Sequence, residues 1–239
     1  MSITLPRWFA HRGGGSLAPE NTLAGIRLAA SLGFQAVEFD VMLSGDGTPV
    51  LIHDEALERT TNGRGFVSET ADSVLFALDA GGGEPVPRFV DAAALCCELG
   101  LLANIEIKPA AGHEIETARR VAEMTAKLWR DARVQPLISS FSLESLEIAR
   151  DLAPNIPRGI LFETVPLHWL DEMRRLQAMT LHCHADSVSD AVLAEAAARH
   201  IPVLCYTVNA EKQAKNLLER GVSAMFSDRL DLFASEASL

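Results

Sequence analysis

The chain has 239 residues, enough to bury a substantial core, and we expect one large domain spanning 1–239. Its formal net charge of -11 argues against a nucleic-acid partner, because binding to a polyanion needs clustered lysine and arginine. The stretch MSITLPRW lacks the pattern of an export signal, and no run approaches the ~18 apolar residues of a membrane span, so we expect a cytoplasmic protein without stable membrane insertion.

Short apolar strands alternate with amphipathic helical segments along the chain. We expect eight strands, at about residues 7–11, 35–41, 102–108, 136–140, 158–162, 179–183, 202–207 and 223–227. Most are runs of Val, Ile, Leu and Ala, as is typical of strands covered on both faces. Helices fill the gaps, for example 21–32, which starts at Asn21 and stops at Gly33, and 210–220, which stops at Gly221. Eight such units predict an α/β fold, a (β/α)₈ TIM barrel, rather than an open doubly wound sheet.

The alternation breaks once, at about residues 42–88, which form a small insertion after the second strand. Asp46-Gly47 predicts a hairpin turn before an extended segment at 48–53. A long insertion at one barrel loop is typical of a lid or a specificity element. Its apolar residues could form a lipid-facing patch, but packing on the barrel is the favoured interpretation. These residues are Phe66, Val67, Phe76 and Leu78.

The first predicted strand ends in His11 and Arg12, followed by three glycines. A guanidinium recognises phosphate oxygens in pairs, and exposed backbone amides favour anions. Glycines also let the backbone turn sharply and approach a ligand. The segment therefore suggests a phosphate-binding turn, although glycines alone are a weak signal because the same triplet recurs at 81–83.

Acidic residues interrupt two strands that should otherwise be apolar. Glu38 and Asp40 share one face of the second strand, and Glu106 and Lys108 share one face of the third. In a barrel these strands are neighbours, ~4.8 Å apart, so the three carboxylates can converge near the carboxyl-terminal mouth. A hard divalent cation with oxygen ligands would compensate for their burial. The alternative is a structural ion network with Arg12 and Lys108.

Two histidines lie at strand ends on the same side of the predicted barrel. His11 ends the first strand, and His53 ends the Val50-Leu51-Ile52 run, so both are candidates for proton transfer at the mouth. The stretch His182-Cys183-His184 resembles a zinc cluster, but strand alternation directs Cys183 away from both histidines. His182 could instead line the substrate pocket. The four cysteines show no disulfide or CxxC spacing, which favours reduced thiols.

A set of short motifs in one order resembles the glycerophosphodiester phosphodiesterase family, in its short form without an export signal. The motifs cover essentially the whole chain. They are His11-Arg12-Gly13, Pro19-Glu20-Asn21-Thr22, Glu38-Phe39-Asp40, His53-Asp54, Arg59-Thr60-Thr61-Asn62-Gly63, Glu106-Ile107-Lys108, Ser139-Ser140-Phe141, Tyr206-Thr207-Val208-Asn209 and Phe226-Ser227-Asp228.

The resemblance implies a barrel enzyme that hydrolyses glycerophosphodiesters to sn-glycerol 3-phosphate and an alcohol with one divalent metal ion, Mg²⁺ by preference, with Ca²⁺ or Mn²⁺ as alternatives. The implied roles fall into four groups. They are metal ligands Glu38, Asp40 and Glu106, the acid-base pair His11 and His53, phosphate contacts Arg12 and Lys108, and a supporting Glu20 that orients the first loop. Tyr206 replaces the tryptophan of many relatives, and we expect it to contact substrate.

Several alternatives stay open at this stage. The same site could serve a lysophospholipase D, and either water or the glycerol 2-hydroxyl could attack phosphorus. A silent phosphodiester-binding barrel would lack a metal ligand or a histidine, yet all are present. A ligand-free scaffold would leave the charges at the mouth unexplained. The preferred alcohol and the oligomeric state, including a homodimer, are not fixed by the sequence.

Overall fold

The computed structural model describes residues 4–237, in which parallel strands alternate with helices. The strands are β1 (Trp8–Ala10), β2 (Ala36–Leu43), β3 (Pro49–Leu51), β4 (Leu102–Ile107), β5 (Leu137–Ser140), β6 (Arg158–Phe162), β7 (Thr180–His184), β8 (Val203–Tyr206) and β9 (Ala224–Ser227). The helices are α1 (Leu23–Ser31), α2 (Asp72–Leu75), α3 (Phe89–Leu99), α4 (Glu114–Leu128), α5 (Leu143–Leu152), α6 (Trp169–Arg175), α7 (Asp190–Ala198), α8 (Glu211–Glu219) and α9 (Leu230–Phe233). Short 3₁₀ turns lie at Val67–Glu69 and Ala234–Glu236.

The sheet closes on itself. The strands follow the order β1-β9-β8-β7-β6-β5-β4-β2-β3, and β1 also pairs with β2. Eight strands therefore form a closed parallel barrel, while β3 runs antiparallel along β2 and stands outside it. This confirms the predicted (β/α)₈ barrel, and each of the eight predicted strands corresponds to one barrel strand within about two residues. Within the described part of the chain, no helix is long and apolar enough to cross a bilayer.

Strand alternation divides the buried side chains into two layers. Outward residues such as Val37, Phe39 and Ile105 pack against the helices in the main hydrophobic core. Inward residues near the amino ends of the strands fill the barrel floor with a smaller apolar cluster. That cluster contains Phe9, Ala36, Leu102, Leu137, Leu204, Ala224 and Phe226. Towards the carboxyl ends of the strands, the inward positions are polar. The apolar side chains therefore fill the floor of the barrel, and the polar groups lie at its mouth.

The N-cap of helix α1 lies one residue later than we expected from the sequence. Its N-cap is Thr22, whose hydroxyl accepts a hydrogen bond from the Gly25 amide at 3.1 Å. Asn21 instead adopts φ 56°, a left-handed conformation that asparagine tolerates well. Its side-chain amide is occupied by Asp40, to which it donates at 2.9 Å and from whose backbone amide it accepts at 3.1 Å. The correction has a simple cause, because Asn21 holds an acidic residue rather than a helix end.

The insertion packs against the barrel as a small core of its own. After β2 the chain turns at Ser44, whose carbonyl accepts from the Gly47 amide at 2.9 Å, and returns as β3, as the Asp46-Gly47 pair predicted. Val67 is fully buried in this second core, and Phe76 and Leu78 pack on it. Phe66 differs, since half of its surface is exposed. Packing, favoured over a lipid-facing patch, therefore accounts for three of the four residues.

At the amino-terminal end of the barrel strands, Arg158 of β6 connects the carboxyl-terminal ends of two helices. It is 3% exposed, and its guanidinium donates to five backbone carbonyls. The acceptors lie just after α5 and α6, where the last carbonyls of a helix have no intrahelical partner. They belong to Ala153, Pro154, Ile156, Leu176 and Gln177.

We expect Arg158→Met to lower the free energy of unfolding by about 2–4 kcal/mol, because buried carbonyls that lose a charged donor keep their desolvation cost. Urea denaturation measures the change. Arg174→Met on α6 is the control, since that side chain is 67% exposed and its ion pair contributes little. A loss below about 1 kcal/mol for Arg158→Met would contradict this structural role.

Candidate active site

Most of the ionisable side chains singled out in the sequence meet in one cavity of about 490 Å³ at the carboxyl ends of the barrel strands. Eight of the ten predicted site residues line it: His11, Arg12, Glu38, Asp40, His53, Glu106, Lys108 and Tyr206. A hollow of about 550 Å³ lies near the amino ends of the strands, where Arg7 is the single charged residue among the described residues of the lining. Both are large enough for a small ligand, but the chemistry is concentrated at the mouth.

Three buried carboxylates form the centre of this cavity. Asp40 of β2 and Glu106 of β4 are register partners, and Glu38 lies two residues earlier on the same face of β2. One oxygen from each of the three lies within 4.8 Å of the others. Glu38 Oε1 and Glu106 Oε1 are buried without a hydrogen-bond partner among residues 4–237. Oxygen atoms in this arrangement suit a hard divalent cation, because coordination to the cation would replace the hydrogen bonds that the two glutamate oxygens lack.

Burial and mutual repulsion shift the pKa values of the three acids in different directions. Burial, together with the charges of Asp40 and Glu106, raises the pKa of Glu38 well above its ordinary value. Burial and the Asp40 charge raise the pKa of Glu106 to about 7. Burial also opposes ionisation of Asp40, but the charges of Lys108 and Arg12 and the hydrogen bond from Asn21 outweigh it and hold that pKa below its ordinary value. Asp40 is therefore the anchoring anion, and Glu106 is partly protonated near neutrality while no cation is bound.

The glycine-rich turn does not present free amides to a ligand. The Gly13, Gly14 and Gly15 amides donate to the carbonyls of Glu38, Arg12 and His11 respectively, at 2.9–3.0 Å. A Cβ on Gly14 would stand 2.9 Å from the Cα of Gly25, so this glycine permits close packing against α1. The expected phosphate-binding backbone is corrected: the glycines seat the turn on the barrel. The Arg12 amide instead donates to Glu38 Oε2 at 2.9 Å.

Each of the two histidines has a carboxylate on Nδ1. His11 Nδ1 lies 2.6 Å from Asp228 Oδ1, and Asp228 is held in turn by the Asn209 side chain at 2.9 Å. His53 Nδ1 lies 2.6 Å from Asp54 Oδ1. In both cases the carboxylate favours a proton on Nδ1 and leaves Nε2 as the atom available to the cavity.

The two Nε2 atoms face different side chains. Lys108 Nζ lies 2.6 Å from His53 Nε2, whereas Glu38 Oε2 lies 3.8 Å from His11 Nε2. Burial and the Lys108 charge lower the pKa of His53 and outweigh the opposing effects of Asp40 and Asp54. Since an ammonium can only donate, His53 Nε2 acts as an acceptor and the ring is neutral.

Two cationic side chains border the carboxylates. Lys108 Nζ lies 3.5 Å from both Asp40 Oδ1 and Glu106 Oε1. Arg12 Nε lies 3.8 Å from Asp40 Oδ2, and its Nη1 donates to Glu20 Oε1 at 2.9 Å. Glu20 itself is not part of the cavity lining, and its supporting role stays a prediction.

Tyr206 and His182 occupy different layers of the barrel. Tyr206 lines the cavity, donates its hydroxyl to the Phe162 carbonyl at 3.0 Å and meets the Phe141 ring edge-on. His182 is fully buried below the cavity, where its Nε2 pairs with Thr180 Oγ1 at 2.9 Å and burial lowers its pKa to about 3. The structure therefore does not place His182 on the cavity wall expected from the sequence. Gly159 makes room for it, since a Cβ there would stand 2.6 Å from His182 Nε2.

The possible zinc cluster at 182–184 is not formed. Cys183 points outward into the main core while His182 points inward, as strand alternation predicted. Among the residues the structure describes, the carboxylate triad is the one group of three or more potential metal ligands that converge.

Sequence reasoning gave no role to several residues that support the site. Asp54 could have been identified, because an acid directly after a candidate catalytic histidine is a local signal. Asp228 and Asn209 lie in motifs noted only for their resemblance, about 200 residues from His11 along the chain. The remainder line the cavity or hold its walls: Asn21, Arg59, Asn104, Phe141 and Glu163.

Comparison with known proteins agrees with this geometry. Residues 11–232 match the sequence profile of the glycerophosphoryl diester phosphodiesterase family. The protein YqiK of Bacillus subtilis is 35% identical over 92% of this chain and 93% of its own length. A glycerophosphodiester phosphodiesterase of Caldanaerobacter subterraneus is 30% identical over 92% of each chain.

The fold also matches solved structures. An Oleispira antarctica phosphodiesterase, solved in complex with the product sn-glycerol 3-phosphate, superposes with a TM-score of 0.92 at 35% identity over 98% of each chain. Sequence profile, relatives and fold agree over nearly the whole length. The chain therefore belongs to the glycerophosphoryl diester phosphodiesterase family and is a phosphoric diester hydrolase of that family's type.

Proposed function

We propose that this protein hydrolyses glycerophosphodiesters to sn-glycerol 3-phosphate and an alcohol, with a divalent metal ion, Mg²⁺ by preference, held by the three carboxylates. The observation that carries the proposal is the convergence of Glu38, Asp40 and Glu106 in one cavity with two carboxylate-oriented histidines. The product bound to the Oleispira antarctica relative supports the choice of substrate.

The residues around the triad fit a phosphodiester and its metal ion. Glu38 and Glu106 each offer a buried oxygen without a hydrogen-bond partner among the described residues, and Asp40 supplies a negative charge. A cation held by these three residues would supply positive charge to polarise a phosphoryl oxygen. Lys108 and Arg12 stand on either side of Asp40 and are placed to neutralise charge that develops on phosphorus. Tyr206 lines the far side of the cavity and is placed to contact the organic part of the substrate.

The two histidines divide the proton transfers. His53, neutral and with an unprotonated Nε2, is suited to accept a proton from the attacking hydroxyl. His11, paired with Asp228 and near Glu38, is suited to carry a proton to the departing alkoxide. Asp54 and Asp228 stabilise the orientation of the two rings.

The proposed function predicts activity on glycerophosphodiesters that depends on a metal ion and on both histidines. The purified protein should release sn-glycerol 3-phosphate from glycerophosphocholine, glycerophosphoethanolamine or glycerophosphoglycerol in a coupled assay, and EDTA should abolish the release.

His11→Ala and His53→Ala should each lower kcat by about 10² or more, because each removes a proton-transfer group. His168→Ala is the matched control, since that histidine is exposed on the loop before α6. Full activity in EDTA would contradict the metal, and near-normal turnover by either active-site variant would contradict its role. Transient cyclic phosphate would identify the glycerol hydroxyl as nucleophile.

Binding of Mg²⁺ should displace a proton from the carboxylate triad. Glu106, with a pKa of about 7, is mostly protonated at pH 6 in the metal-free protein, and Mg²⁺ needs its carboxylate, so binding at that pH should release about one proton. Apparent affinity should therefore rise with pH up to about 8. Calorimetry in buffers of different ionisation enthalpy measures the release, and a value of zero at pH 6 would contradict the assignment.

The same protonation sets the stability of the metal-free protein. For Glu106 the folded pKa of about 7 exceeds the ordinary 4.5, so the protonated form favours folding. In EDTA, stability should fall as pH rises from about 4.5 to about 7 on account of this group. Glu106→Gln should reduce that loss and also reduce the rise in Tm that Mg²⁺ produces, as differential scanning calorimetry measures. An unchanged pH profile would show that Glu106 does not carry the effect.

A further inference from the structure

Arg59, which extends from the insertion, joins two carboxylates behind the active site. Its Nη1 and Nη2 donate to the two oxygens of Glu20 at 2.7 and 2.8 Å, which is a bidentate pair. Its Nε donates to Asp54 Oδ2, and its Nη2 also donates to Asp54 Oδ1 at 3.0 Å. Four hydrogen bonds from one guanidinium thus hold two acids that would otherwise repel each other.

Each of these carboxylates holds a side chain of the cavity. Glu20 Oε1 accepts from Arg12 Nη1 at 2.9 Å, and Asp54 Oδ1 accepts from His53 Nδ1 at 2.6 Å. A continuous chain of hydrogen bonds therefore runs from Arg12 through Arg59 to His53. Arg59 itself is not part of the cavity lining, so it has no direct contact with a ligand there.

We propose that Arg59 is a positioning residue that fixes the phosphate-binding arginine and the proton-accepting histidine in one geometry through Glu20 and Asp54. The inference rests on the function proposed above for Arg12 and His53. It also assigns a role to the insertion, which supports the active site through the contacts of Arg59 with Glu20 and Asp54.

The backbone of the insertion is built to hold Arg59 in place. Leu57, two residues earlier, is 1% exposed in the core of the insertion. Its amide donates to the Gly65 carbonyl at 2.9 Å, and its carbonyl accepts from Thr61 at 3.0 Å. The Arg59 backbone is therefore anchored on both sides, and the guanidinium reaches Glu20 and Asp54 from a fixed base.

The chemistry explains why arginine stands at this position. A guanidinium offers five donors in a planar fork, whereas a lysine ammonium is a point charge that cannot grip two carboxylates in fixed directions. The hydrogen bond from Arg59 holds the pKa of Asp54 far below its ordinary value, so Asp54 stays an anion facing His53. Because the Arg59 side chain is 46% exposed, its ion pairs contribute little to global stability, and its main effect is on geometry.

The test compares Arg59→Ala, Arg59→Lys and Arg64→Ala in the full-length protein with Mg²⁺. Arg59→Ala should lower kcat by about 10- to 100-fold, because a loosely held proton acceptor costs orders of magnitude, with an unchanged Kd for Mg²⁺ and little change in Tm. Arg59→Lys should recover only part of the loss. Added guanidinium ion at millimolar concentration should restore turnover to Arg59→Ala and leave Arg59→Lys unchanged. Arg64, exposed on the same insertion and without an ion pair to described residues, is the matched control.

A double-mutant cycle separates positioning from a merely structural role. Because Glu20 acts through the same guanidinium, Glu20→Gln should cost much less in an Arg59→Ala background than in the wild-type protein. Multiplicative losses, a kcat within threefold of wild type, or a loss without guanidinium rescue would each overturn the proposal.

A readout independent of turnover keeps the inference distinct from the proposed function. Nitrogen-15 NMR of the histidines should show His53 of the wild type as a single neutral tautomer protonated on Nδ1, and Arg59→Ala should show exchange between tautomers. An unchanged His53 spectrum in that variant would overturn the positioning role. If the wild type lacks diesterase activity while the spectra change as expected, the proposed function fails and the positioning stands.

Discussion

The repulsion among three carboxylates buried within 4.8 Å of one another is the constraint around which the rest of the site is arranged. Two unit charges at such a separation interact by about 4 kcal/mol at the effective dielectric constant near a protein surface, and more where water is excluded. The protein offsets this repulsion only in part. Lys108 and Arg12 each approach within 4 Å of Asp40, and Asn21 hydrogen-bonds it, but one oxygen of each glutamate has no hydrogen-bond partner among the described residues. This deficit is one that a cation could balance, as in the proposed metal site.

The barrel supplies the rigidity that such a deficit requires. Paired register sets Asp40 opposite Glu106, and the apolar floor beneath them prevents the acids from relaxing downward. Because strand pairing fixes both backbones, the repulsion cannot be relieved by small shifts and is expressed instead in the raised pKa values of Glu38 and Glu106. Stability that the fold provides elsewhere is therefore used here to maintain a strained electrostatic arrangement.

Local periodicity accounts for what the sequence predicted well. Alternation along β2 and β4 was enough to place Glu38, Asp40 and Glu106 on one inner face, and the repeated strand-helix pattern was enough to predict the closed barrel. Contacts that depend on closure were beyond sequence reasoning. Asp228 meets His11 only because β9 pairs with β1, and Asn21 was taken for a helix cap because its real partner, Asp40, lies 19 residues further along the chain. The amides of the glycine turn were assigned to a phosphate for the same reason, since their partner carbonyls are visible only in the fold.

The two histidines are oriented in the same way, but the fold places a different side chain beside the Nε2 atom of each. Both have a carboxylate on Nδ1 at 2.6 Å, so their orientation is alike, and the difference lies entirely at Nε2. Lys108 approaches that atom in His53, while Glu38 faces it in His11. The neighbours are Glu38 of β2 and Lys108, the residue after β4, so they come from the same two strands that carry the proposed metal ligands. A single pair of strands thus sets both the proposed cation site and the different surroundings of the two rings, so a change that moved β2 relative to β4 would disturb both together.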